Sequence, residues 1–157
     1  MNCIIRELSR NEYCVLEDFL YEAIFIPDGV EPPPRDIINL PELQVYIDKF
    51  GEQKGDMCLA AEVDGKIIGA VWVRIMNDYG HIDNETPSFA ISLYKEYRGK
   101  GIGSELMRKM LGKLRDSGYK RASLAVQKAN YAVSLYKKVG FEITDENEEE
   151  YIMLWKA

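Results

Sequence analysis

The sequence predicts a mixed α/β (α+β) domain with a mostly antiparallel central sheet of about seven strands, flanked by about four helices. Three observations carry that expectation. Short β-rich runs alternate with segments whose apolar residues recur at helical spacing. Asp64-Gly65 sits between two of the β-rich runs, and Asp-Gly in that position is a strong hairpin signal. A strand, a glycine hinge, a long apolar-striped segment and another strand then follow one another as in a β-α-β crossover.

Taken in order, residues 3–8 (CIIREL) are the first strand. Ser9 and Glu12 have capping-box spacing, with Ser9 able to accept from a backbone N–H and Glu12 able to reach back. Val15, Leu16, Phe19, Leu20, Ala23 and Ile24 follow at helical spacing, so an amphipathic helix is expected over 10–25. The four prolines and the glycine of 26–36 forbid regular structure. Pro41 suits the first position of a second helix, expected to run to about Phe50 and stop at Gly51.

The runs 57–63 and 67–75 make the hairpin, and 87–94 is a strand with Pro87 at its start. Beyond the hinge Leu106, Met107, Met110, Leu111 and Leu114 form a helical stripe that ends at Ser117-Gly118. Residues 120–127 are a strand and 131–139 a helix stopped by Gly140. The segments 141–144 and 151–157 are the closing strands, joined by the solvated acidic turn DENEEE.

A chain of 157 residues fits one domain, expected to span 1–157, with enough length for a continuous core. No apolar run approaches the roughly 20 residues that cross a bilayer, and the first residues lack a secretory stretch. Cys3, Cys14 and Cys58 are odd in number and form no C-x-x-C pair, which points to reduced thiols in the cytoplasm rather than a disulfide frame or a zinc site. The lone His81 cannot anchor a metal. A net charge of −6 argues against a nucleic-acid binder and suits a cationic substrate.

Against that acidic background the stretch YRGKGIGSEL (97–106) places Arg98 and Lys100 among three glycines at the start of a helix. A helix N-terminus presents unpaired N–H groups and about half a positive charge. Glycines let an anion approach the backbone and allow the positive φ of an anion nest. Strand, glycine loop and helix together therefore cradle a phosphate or pyrophosphate. The nucleotide-triphosphate loop is absent, because Gly103 is followed by Ser104-Glu105 rather than Lys and Ser or Thr. The dinucleotide fingerprint fails as well, with Leu106 where its third glycine would stand.

LYKEYRGKGIGSEL resembles the Q/R-x-x-G-x-G/A motif of the GNAT superfamily of N-acetyltransferases, with Arg98, Gly101 and Gly103 at its fixed positions. NYAVSLYKKVGF (130–141) resembles the family's N-x-A-x-x-x-Y-x-x-x-G-F segment, and the element order is also that of GNAT proteins. The resemblance implies an acetyl-CoA-dependent enzyme that moves the acetyl group to a primary amine by direct attack. The acceptor would be a small cationic amine or a peptide or protein N-terminus. It implies a pyrophosphate held by the backbone amides of Gly99, Lys100, Gly101, Ile102, Gly103 and Ser104, with Arg98 opening the loop. The pantetheine arm would pair with Ile91, Ser92 and Leu93 like an added strand. The Leu93 N–H would then lie near the thioester carbonyl.

By the same resemblance Tyr136 protonates the departing thiolate, for which a phenol that stays protonated at neutral pH is suited. Asn130 contacts the cofactor, although it stands six residues before that tyrosine where seven is common. Many relatives carry a glutamate base on the strand before the hinge. Residues 87–94 hold no carboxylate, so Glu85 is the nearest candidate, with Asp83 and His81 behind it. Glu22, Phe25, the proline-rich loop and Tyr151 would line the acceptor site. Dimers are common among relatives, which makes a homodimer an option. The alternative to an enzyme is a coenzyme A-binding sensor that catalyses little.

Overall fold

The computed structural model describes residues 2–76 and 82–157. Among them one seven-stranded sheet runs in the order β1-β2-β3-β4-β5-β7-β6. The strands are β1 Cys3–Glu7, β2 Met57–Val63, β3 Lys66–Arg74, β4 Ser88–Leu93, β5 Arg121–Gln127, β6 Glu142–Glu146 and β7 Glu150–Lys156. Four α-helices accompany it: α1 Leu16–Glu22, α2 Pro41–Gln44, α3 Ile102–Asp116 and α4 Ala132–Lys138. Every strand pairing is antiparallel except that of β4 with β5, so the expected mixed sheet is present.

Side chains alternate between the two faces of each strand. On one face Leu59, Val71, Val73, Phe89 and Leu93 meet the α3 stripe of Ile102, Leu106, Met107, Met110, Leu111 and Leu114. Ala122, Leu124, Val126, Met153 and Trp155 extend this core across β5 and β7, and Leu135 and Tyr136 of α4 pack on it. On the other face Ala60, Ala70 and Trp72 meet Leu16, Phe19 and Leu20 of α1 together with Ile38 and Phe50. Each large apolar side chain buried this way stabilises the fold by roughly 1.5–3 kcal/mol. The β2–β3 hairpin turns on Asp64 at φ 50° and Gly65 at φ 82°, the two positive values that a two-residue primed turn requires.

Two expected helices are shorter than their apolar spacing suggests. Residues Arg10–Val15 form a 3₁₀ turn, and only Leu16–Glu22 is α-helical. The Glu12 carboxylate accepts the Ser9 N–H at 2.9 Å and two Arg6 donors at 3.0 and 2.9 Å. These contacts hold the first turn tight and keep the Glu12 pKa down at about 2.

The second helix stops at Gln44 and the chain goes on in turns to Phe50. Its Val45 carbonyl is taken by the Arg74 guanidinium at 3.1 Å and its Tyr46 carbonyl by the Trp72 indole N–H at 3.1 Å, which diverts both from a helical ladder, and Arg74 also reaches the Asp48 carbonyl at 2.6 Å. Arg74 is itself buried against Asp56, at 3.0 and 2.9 Å. Residues from β3 thus override a local helical preference. Of the thiols, Cys58 is buried and its pKa is pushed up to about 12 by burial, Cys3 is half-buried and Cys14 is exposed.

Candidate active site

The site begins with a gap in the sheet. On one edge β4 pairs with β3 along its full length, from Ser88 opposite Arg74 to Leu93 opposite Gly69. On the other edge its pairing with β5 is confined to Ser88 opposite Ser123, where the Ser123 N–H donates to the Pro87 carbonyl at 3.0 Å. Past that point the two parallel strands separate. The Tyr94 N–H donates to the Ile68 carbonyl on β3 at 2.9 Å. Strand alternation then turns the Ser92 amide toward β3 and the Ile91 and Leu93 amides into the gap. Gly69 permits this geometry, since a Cβ there would run into the Leu93 side chain and lie 3.1 Å from the Ser92 carbonyl.

At the open end of the gap the hinge supplies a second set of amides. Gly99 at φ 76° and Gly101 at φ 86° are left-handed, and an ideal Cβ on either meets no atom within 4 Å. Glu105 is the first α3 residue whose N–H finds a helical acceptor, the Gly101 carbonyl at 3.2 Å. Among the described residues, the N–H groups of Gly99, Lys100, Gly101, Ile102, Gly103 and Ser104 meet no protein acceptor. Open space, glycine backbone and free donors at the start of a 15-residue helix fit a bound pyrophosphate.

The Arg98 side chain reaches back to the backbone of two other elements. Its Nε donates to the Leu93 carbonyl at 3.0 Å and its Nη2 to the Glu22 carbonyl at 3.4 Å. It therefore clamps the end of β4 to the end of α1. Lys100 is exposed at the hinge.

α4 approaches the same place, because a Cβ on Gly103 would sit 3.6 Å from Leu135 and 3.8 Å from Leu93. The Tyr136 ring lies 6.1 Å from that of Phe141 and packs on the α3 core. Burial pushes its pKa up to about 12, with Tyr131 adding to the rise, so the hydroxyl is a proton donor. That hydroxyl has no hydrogen-bond partner among the described residues. Asn130 starts α4: its Oδ1 accepts the Ala132 N–H at 2.9 Å, which leaves the side-chain amide as its free donor.

The other expected residues are distributed unevenly. Ser92 faces α1, where its hydroxyl donates to the Phe19 carbonyl at 2.6 Å. Its backbone belongs to the β3 pairing, so only Ile91 and Leu93 of the expected trio offer N–H groups to the gap. Glu22 and Phe25 are half-buried at the end of α1, close to the Arg98 clamp. Tyr151 is half-buried on β7 opposite Val126, on the α3 side, with the Lys128 ammonium 5.2 Å from its ring centroid.

Glu85 is not brought to the gap. It is exposed in the turn before β4, beyond the closed Ser88–Ser123 end, beside a cavity of about 860 Å³ lined by Gln53, Ile75, Tyr119 and Arg121. The β4–β5 contact stands between it and any thioester in the gap. His81 lies outside the described residues.

The sequence reading missed how the proline-rich loop is held. Arg35 pairs with Asp18 and lies 5.6 Å from the Tyr21 ring centroid. The Tyr21 hydroxyl donates to the Pro33 carbonyl at 2.6 Å, and the Tyr94 hydroxyl to Asp18 at 3.1 Å. No motif announces this network, since its members are 12 to 76 positions apart.

A sheet opened beside a strand that leads into an amide nest fits an extended ligand that ends in a phosphate. Residues 20–141 match the acetyltransferase (GNAT) family. An acetyltransferase of Sodalis glossinidius is 32% identical over 109 residues, covering 68% of this chain and 70% of that one. One of Pectobacterium atrosepticum is 31% identical over the same length, covering 68% and 71%. The crystal structure of a PaiA N-acetyltransferase from Thermoplasma acidophilum in complex with coenzyme A superimposes at a TM-score of 0.74, with 22% identity and full coverage of both chains. The chain belongs to the GNAT family and is an acetyl-CoA-dependent N-acetyltransferase. No helix among the described residues is long and apolar enough to cross a membrane.

Proposed function

We propose that residues 1–157 act as one catalytic domain that transfers the acetyl group of acetyl-CoA to a primary amine by direct attack. The observation that carries this reading is the continuity of free amides from Ile91 and Leu93 in the gap to Gly99–Ser104 at the hinge. The pyrophosphate lies on the hinge amides and the pantetheine arm fills the gap as an added strand. An N–H of the Ile91–Leu93 edge donates to the thioester oxygen as negative charge develops there. Tyr136 gives its hydroxyl proton to the leaving sulfur. Asn130 offers its side-chain amide to the arm, and Glu22 and Phe25 border the space for the acceptor, whereas Tyr151 faces the α3 side of the sheet. The free thiols support the reading of a reducing compartment, the cytoplasm.

The test is calorimetric titration of acetyl-CoA into the wild type and Tyr136→Phe, with thiol release measured on a panel of primary amines. Both proteins are expected to bind one equivalent with similar affinity, while turnover falls about a hundredfold or more in the variant. With a donor pKa of about 12 the wild type keeps its protonated phenol through the mildly alkaline range. A wild type that does not bind, or a variant that turns over normally, defeats this assignment.

A further inference from the structure

The face of the sheet that carries α1 is covered only in part. α1 packs on β3 and β4, and no member of its apolar cluster lies on β5 or β7. On β7 Tyr151, Met153 and Trp155 belong to the α3 side, so Glu150 and Ile152 point to the α1 side. On β5 the α1 side holds Ser123, Ala125 and Gln127 by the same alternation. Register sets Ala125 opposite Ile152 and Gln127 opposite Glu150. Glu150 is therefore the diagonal neighbour of Ala125, about 7–8 Å away and within reach of a long side chain. Ala125 has no bulk to fill the space above it, and β5 is the strand that bounds the gap.

The Glu150 carboxylate is half-buried and has neither a cation nor a hydrogen-bond donor among the described residues. Its charged surroundings on this face are acidic. Glu149 precedes it, Asp145 on β6 stands opposite Ile152, and the β5 neighbour Gln127 is uncharged. Lys128 sits on the other face, paired with Glu146 at 3.2 Å. Burial and Glu149 raise the Glu150 pKa. That direction makes it a better proton acceptor than an ordinary carboxylate.

Resting on the acetyl-transfer reading, we propose that Glu150 is the carboxylate of the acceptor site: it binds a substrate alkylammonium over Ala125 and takes its proton. The ammonium nitrogen gives one proton to a Glu150 oxygen, and the freed electron pair forms the bond to the acetyl carbon. The carbon–sulfur bond breaks, and the sulfur keeps its pair and receives the Tyr136 proton. A second proton leaves the nitrogen as the amide forms and returns through water to Tyr136. The proton on Glu150 passes to solvent, so an ammonium and a thioester become an amide, a thiol and one free proton. β4 needs no carboxylate in this arrangement.

The test uses the coenzyme A complex of the full chain with ¹³C-labelled glutamate carboxyls, assigned with Glu150→Gln and titrated with n-butylammonium and 1,4-diaminobutane. The Glu150 signal should move on amine addition and its titration midpoint should fall, because a bound cation favours the carboxylate. Glu150→Gln should weaken both amines at least tenfold, and Glu149→Gln by less than twofold. A Glu150 signal indifferent to amine, or equal affinity in Glu150→Gln, overturns the proposal while leaving the coenzyme site intact. Absence of coenzyme A binding in the same samples removes the reading beneath it, and the proposal with it.

Discussion

Gly101→Ala separates the strain of the hinge from its function. Gly101 is the residue before α3, at φ 86° and ψ −4°. An alanine there takes on left-handed strain of about 1–2 kcal/mol. The added methyl meets no protein atom within 4 Å, so no packing cost is added to that strain. In a domain of this size about 1 kcal/mol lowers Tm by roughly 2–4 °C.

The same methyl would occupy open space at the hinge, beside the free amides. Hydrogen bonds to a charged acceptor contribute about 1.5–3 kcal/mol each. Losing two of them costs about 3–6 kcal/mol, which is at least a hundredfold in Kd. Thermal unfolding without ligand and calorimetry with acetyl-CoA measure the two effects independently. A variant that melts a few degrees lower yet binds acetyl-CoA with unchanged affinity would refute the anion cradle and the roles built upon it.

Gly69→Ala should act through packing rather than through backbone strain. Its Cβ collides with the Leu93 side chain at the edge of the gap, so it should cost about 1–3 kcal/mol of stability in urea unfolding and weaken acetyl-CoA as Leu93 is displaced. An unchanged urea midpoint would show that Leu93 has room to move. Arg74→Met should lose about 3–5 kcal/mol, because it strands Asp56, whose side chain is only 1% exposed, without its cation. Partial recovery in Arg74→Met with Asp56→Asn would identify the stranded charge as the cause; no recovery would assign the loss to the Val45 and Asp48 carbonyls.

Features written in neighbouring residues were legible in the sequence. The Asp64-Gly65 turn and the Arg98–Ser104 hinge each depend on φ values that a few adjacent residues determine, and both stand where the spacing places them. Features set by distant partners were not. The helix expected over 41–50 ends early because Arg74 and Trp72 on β3 withdraw the Val45 and Tyr46 carbonyls. Arg98 reads as a cation for phosphate, yet two of its donors also tie the Leu93 carbonyl to that of Glu22. Glu85 looked near the chemistry in chain position, and the β4–β5 pairing at Ser88 and Ser123 lies between it and the gap. Glu150 lies inside an acidic run that reads as solvated, and only the register of β7 against β5 separates it from Glu148 and Glu149.

The gap between β4 and β5 also ties the enzyme's folding to its supply of substrate. A sheet with a strand's width left open is an unfinished ladder, and whatever fills it binds the native chain but not the unfolded one. By mass action, ligand at a hundred times its Kd adds about 2.7 kcal/mol to the free energy of unfolding. That is a substantial share of the 5–15 kcal/mol typical of a folded domain. When acetyl-CoA is scarce, the population that opens rises with its depletion, and proteases that act on open chains then remove the protein faster.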